Sequence, residues 1–204
     1  MFKHSILGAA LCWAALTTAI ASDDSFTDEQ LGFSISKPAA WVFLEEEDVQ
    51  SRSERLQLSE AAQRALFLQR PRMPLVSIAQ QVDSDATQGI VPSVTVVRAE
   101  IGGYDGFPAS IVMTHSHAKW RVAGQPFKYL TAPRDKSFHG HPAAYSEMSL
   151  IVRDASGRDF DVRTRNWLIP RQGYALMIGM SASEDEAEEA DEVFDEILET
   201  IELF

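Results

Sequence analysis

Apolar positions along the chain switch between a period of two and a period of about 3.6 residues, and each stretch of constant period predicts an element. The first apolar run is continuous instead: Ile6 to Ile20 follow Lys3 and His4 and lead into Ala19-Ile20-Ala21. Its length and flanks predict a secretory signal cleaved after Ala21, since a membrane span needs ~20 apolar residues. Further on, Phe33, Ile35, Trp41 and Phe43 alternate with small or polar neighbours around Lys37-Pro38, which predicts two short strands at a proline bend. Residues 45–58 are charged and read as irregular. Ser59 then precedes EAAQRALFLQ, where Ala62, Ala65 and Leu66 have helical spacing up to Arg70-Pro71. Residues 75–81 and 93–101 are β-branched runs bounded by Pro, Asp and Gly, and read as strands.

Residues 105–120 read as a helix, with Pro108 suited to its first turn, although Ile111-Val112-Met113-Thr114 also suits a strand. Between 143 and 181, three long β runs are separated by DASG at 154–157 and PRQG at 170–173, which predicts two consecutive hairpins. Ser183 and Glu186 have capping-box spacing, and Ala187, Ala190, Val193, Phe194, Ile197, Leu198 and Ile201 form one apolar stripe. A long amphipathic helix is expected at the end. The mixture predicts a single α+β domain over residues 22–204, strands and helices sharing one core in an antiparallel layer arrangement.

Charge adds a constraint on partners. The formal net charge of −12 is concentrated in residues 184–202, which hold eleven acids and no Lys or Arg; the rest of the mature chain is nearly balanced. Without a basic stripe to displace counterions, neither nucleic acid nor an anionic membrane surface is an expected partner. The lone cysteine, Cys12, lies in the leader, so the mature chain has no disulfide. Leu11 before it is too large for a lipoprotein signal, and no lipid anchor is expected.

The order of elements, with the strings GFSISKPAAW, MPLVSI, HGHPAAY and YALMIGMSASEDEAEEADEVFDEILETIEL, resembles the PsbP-like α/β/α sandwich group. That group includes the extrinsic P subunit of photosystem II, a Ran-binding nuclear import factor and exported bacterial proteins. The resemblance covers essentially the whole mature chain. It implies the sandwich fold and an assembly or binding role without catalysis, and it transfers no site residue.

Candidate chemistry was weighed residue by residue. His115-Ser116-His117 and His139-Gly140-His141 have the H-x-H spacing of metal ligands. On a helix the first pair points to opposite sides, and the second sits in a turn as solvated residues; His139 and His141 remain the alternative metal site, with no third ligand in view. No G-x-S-x-G elbow or H-E-x-x-H helix is present, so no catalytic residue is assigned. Asp154, Asp159 and Asp161 depart from a calcium-loop spacing and read as a hairpin tip. On the strand around 159–169, Arg163, Arg165 and Trp167 share one side, either as a binding strip or as cross-strand ion pairs, for instance with Glu147 or Asp161, plus a Trp packed beneath a helix. The excess acids of the last helix, Glu188, Asp191, Glu192, Asp195 and Glu199, suggest a surface kept for a basic partner. The chain therefore reads as an exported, non-enzymatic protein-binding domain without a cofactor, periplasmic in the first instance and secreted in the second. Alternatives are a small-molecule or metal carrier and, third, a hydrolase.

Overall fold

A computed structural model of the chain describes residues 20–21, 24–55, 74–81, 90–104, 106–122, 124, 126–154 and 156–204. All but the end of the expected leader, and the expected helix at 59–69, lie outside the described residues.

The strands form two antiparallel sheets. The small sheet has the order β1-β2-β3-β11, with β1 at Ile20–Ala21, β2 at Ser25–Asp28, β3 at Phe33–Ser36 and β11 at Glu202–Leu203. The large sheet comprises β4 (Trp41–Phe43), β5 (Val76–Gln80), β6 (Ser93–Glu100), β7 (Phe127–Phe138), β8 (His141–Arg153), β9 (Asp159–Arg171) and β10 (Tyr174–Ser183). Its order is β4-β5-β6-β10-β9-β8-β7. Three helices accompany them among the described residues: α1 (Glu46–Arg55), α2 (Ala109–Val122) and α3 (Ala187–Glu199).

Alternation along the strands supplies both faces of the large sheet. On the first face, Leu176, Ile178 and Met180 of β10 join Val94, Val96, Trp167 and Ile169 against Ala190, Phe194, Ile197 and Leu198 of α3. On the second, Ala175 and Met177 join Ala99, Ala144 and Leu168 against Ala109, Val112 and Met113 of α2. The result is the layered α+β arrangement that the residue pattern predicts, in the α/β/α sandwich form that the resemblance implies. Phe33 and Ile35 of the small sheet, both fully buried, close the first core at its end. Gly32 there has φ +58°, and a Cβ on it would lie 2.0 Å from the Phe204 carbonyl oxygen, so only glycine permits the Phe204 N–H to donate to Gly32 O at 2.9 Å.

Several expectations are corrected. The stretch at 45–58 is not irregular: Glu46–Arg55 is helical, with Glu46, Glu47 and Asp48 complementing the positive end of the helix dipole. β7 was not foreseen because its alternation breaks at Ala132-Pro133, and its pairing with β8 shifts register between Tyr129 and Thr131 and again before Arg134. An edge strand tolerates both features. Strands β7 to β10 thus form three consecutive hairpins rather than two. Pro170 and Arg171 belong to β9, leaving a tight Gln172-Gly173 turn. Ser25–Asp28, for which the apolar pattern predicts no element, pairs with β3. The expected capping box at Ser183 does not form: its hydroxyl bonds the Glu186 carboxylate at 3.1 Å, and Glu184–Glu186 is a 3-10 turn ahead of α3. The helix ends at Glu199, so Glu202 lies in β11, opposite Ser34.

Candidate functional site

The sandwich places the candidate residues in two layers. Beneath α3, Arg165 bonds Asp191 Oδ1 at 3.0 Å and Asp195, while Arg163 bonds Glu147 of the neighbouring strand and Asp191 Oδ2 at 3.2 Å. Burial works against the Arg165 charge, but the hydrogen bonds to Asp195 and Asp191 outweigh it and hold the guanidinium above its ordinary value. Trp167 is buried beside Phe138 and Tyr145, with ring centroids 5.0 and 5.1 Å away, and Lys136 Nζ stands 4.8 Å from its centroid. Arg163, Arg165, Asp191 and Asp195 are therefore brought into one network that ties α3 to the sheet. Glu188, Glu192 and Glu199 lie outside that network, exposed on the outer side of α3.

The histidines separate. His139 and Gly140 have φ of 47° and 84°, the paired positive angles of a two-residue hairpin turn. His139 is not simply solvated: its Nε2 donates to the Leu198 carbonyl at 3.0 Å, satisfying an acceptor of the last turn of α3. His141 opens β8. Among the described residues, no group of three or more His, Cys, Asp or Glu stands where it could hold a metal ion. Asp154 at the hairpin tip accepts from Ser156 N at 2.8 Å and Arg158 N at 2.9 Å, an Asx turn.

Along α2, His115 and His117 point to opposite sides as expected. His115 is exposed and its ring stands 4.9 Å from that of Tyr104. His117 is 1% exposed, boxed by Trp120, Phe127 and Tyr129. Its Nδ1 lies 3.0 Å from the Tyr129 hydroxyl, and its buried Nε2 has no hydrogen-bond partner. Burial, aided by the Arg121 charge, lowers its pKa to about 4, so the ring is neutral at physiological pH. The same face of the sheet carries an unusual transverse row, Ser77, Thr95, Gly179, Asn166 and Ser146 in register on five adjacent strands. Of the described imidazoles, His117 bonds Tyr129 and His139 bonds Leu198, and neither bonds a serine of this row.

Sequence reasoning missed the outward side of α2. Phe107 precedes the helix, and Ile111, Ala118 and Val122 follow along one line, with exposures of 53% for Phe107, 50% for Ile111 and 90% for Val122. The spacing at 111, 118 and 122 was readable, but periodicity alone does not say which of two apolar stripes meets the sheet. A shallow cleft beside this line is lined by Tyr104, Val112, His115, Ser116, Lys119 and Met177.

Against solved structures, the fold is similar to cyanobacterial PsbP (CyanoP) from Synechocystis sp. PCC 6803, with TM-score 0.52, 11% identity, and 96% of this chain and 98% of that one covered. It is also similar to LpqN of Mycobacterium tuberculosis, described as involved in cell envelope biogenesis, with TM-score 0.51, 15% identity, and coverage of 84% and 82%. The Ran-binding protein Mog1p of Saccharomyces cerevisiae matches with TM-score 0.47, 11% identity, and coverage of 89% and 95%. The chain thus has the PsbP-like fold. No family model matches it, and no curated protein matches its sequence. No helix among the described residues is long and apolar enough to cross a membrane.

Proposed function

We propose that this chain is an exported, non-enzymatic binding or assembly domain that works by docking a protein partner. The observation that carries the reading is the outward line of α2: Phe107, Ile111 and Val122 are exposed along one line, whereas Leu130, Ile151 and Phe204 are exposed singly on other elements, and it is the contiguous line that suits a contact surface. The PsbP-like fold supports it, and LpqN, of the same fold, is described as involved in cell envelope biogenesis. Export rests on the charged start, the apolar run and Ala19-Ile20-Ala21, which support a periplasmic location first and secretion second. A second surface, the exposed acids Glu188, Glu192 and Glu199, would suit a basic partner.

Photo-crosslinking from the native host tests both surfaces together. A benzophenone side chain at position 111 or at position 188 should give a defined protein adduct. If neither position gives one, the binding reading fails. Mass spectrometry of the purified chain checks export: an intact Met1 would overturn it.

A further inference from the structure

The chemistry of the α2 surface narrows its partner. We propose that the outward face of α2 docks an acidic amphipathic segment of a partner protein, a refinement that rests on the protein-binding reading above. Residues 111, 118 and 122 recur at the spacing of one helix face, and at ~1.5 Å per residue they span about three turns, the footprint of a short amphipathic helix. Lys119 and Arg121 fall on opposite flanks of this line, and 106–122 contains no Asp or Glu. Neither base forms an ion pair within the described residues. Arg121 instead stands over the Phe127 ring at 4.6 Å, which holds its guanidinium at the edge of the apolar line.

The charges also decide between occupants. Two copies of the chain meeting α2 to α2 would oppose Lys119 and Arg121 to themselves, which disfavours a symmetric pairing of this face. An anionic bilayer would meet a chain of net charge −12 with only these two bases on the docking line. A partner segment with an apolar stripe between carboxylates satisfies both features: Phe107, Ile111 and Val122 take its apolar side chains, and Lys119 and Arg121 its acids.

The test uses the full mature chain and two synthetic helical peptides with the same leucine stripe, one flanked by glutamates and one by lysines. Fluorescence anisotropy should find the Glu-flanked peptide binding in the micromolar range, more weakly as salt rises, with the Lys-flanked peptide at least about tenfold weaker. Ile111→Asp with Val122→Asp should abolish binding. Lys119→Glu with Arg121→Glu should reverse the peptide preference, a readout that misfolding would not produce. Equal affinity for the two peptides, or no binding of the Glu-flanked one at about 1 mM, would overturn the proposal. So would position 111 crosslinking to lipid, or sedimentation showing self-association that Ile111→Asp dissolves. Protein adducts from position 188 but none from 111 would sink this surface while leaving the binding reading intact.

Discussion

The two helices on opposite faces of the sheet sort their residues by opposite rules. α3 buries Ala187, Ala190, Phe194, Ile197 and Leu198 and turns carboxylates to solvent, the pattern that burial alone would select. α2 buries Ser116 and His117 among its apolar contacts and leaves Ile111 and Val122 outside. Folding accounts for the buried side of α3 and for the Asp191 and Asp195 pairs beneath it. It does not account for α2, where an unpartnered imidazole nitrogen is inside and hydrocarbon is outside. Such local departures from the pattern that stability favours are expected where a sequence serves a partner.

The comparison can be broken at its strongest point first. Phe194 is 2% exposed and stacks edge-on with Trp41 at 6.1 Å, so Phe194→Ala should cost about 3–5 kcal/mol in urea unfolding. A loss below about 1 kcal/mol would mean that α3 is not docked as described. The next effect belongs to α2 and depends on pH. His117 has a folded pKa of about 4 against 6.5 unfolded, so the unfolded chain takes up the proton first. The neutral ring is accommodated fully above pH 6.5, and stability falls as pH drops from 6.5 towards 4. At ~1.4 kcal/mol per pH unit, the loss approaches about 3 kcal/mol. His117→Phe should flatten stability across that window, which denaturation at a series of pH values would show; an unchanged slope would place the titration elsewhere.

A smaller effect is expected at the α3 network. Arg165→Met removes both carboxylate pairs while keeping the packed stem, and should destabilise by about 1–2 kcal/mol, with part of the loss masked at high salt. No loss would class the network as decoration. Least of all, Val122→Ser should change stability by less than about 0.5 kcal/mol, because that side chain is 90% exposed. A thermal shift of several degrees would show that the outward line of α2 is covered from within the chain.

What could be read from the sequence follows the same division. The α3 stripe was legible because it is strongly periodic and its opposite side is uniformly charged. The strands β8 to β10 were legible through their β-branched runs and turn residues. Cross-strand pairing of Arg163 and Arg165, for instance with Glu147 or Asp161, was one of two readings, but Asp191 and Asp195 lie 26 and 30 residues from Arg165, and no local spacing could pair them. His117 was placed on the far side of α2 from His115 by helical geometry alone, yet nothing in the sequence marks Tyr129, on an unforeseen edge strand, as its partner. α2 itself was ambiguous because apolar residues lie all round it. Periodicity finds a helix with one apolar face and falters where there are two.

The small sheet also sets an order of events in folding. Strands β7 to β10 join neighbours through short turns, so their pairing closes small loops and can begin early. By contrast, Ser36 N donates to Thr200 Oγ1 at 3.0 Å, a clasp across 164 residues, while the Thr200 hydroxyl donates to Ile197 O at 2.7 Å in its own turn. That closure waits for nearly the whole chain. A chain emerging from its N-terminus onward therefore has β3 in hand long before its partner β11 exists, and we expect Phe33 and Ile35 to stay unshielded until the last residues arrive. Late protection of the Ser36 amide, which donates to Thr200, in pulse-labelling hydrogen exchange, well after β9 and β10, would be the kinetic signature of that wait.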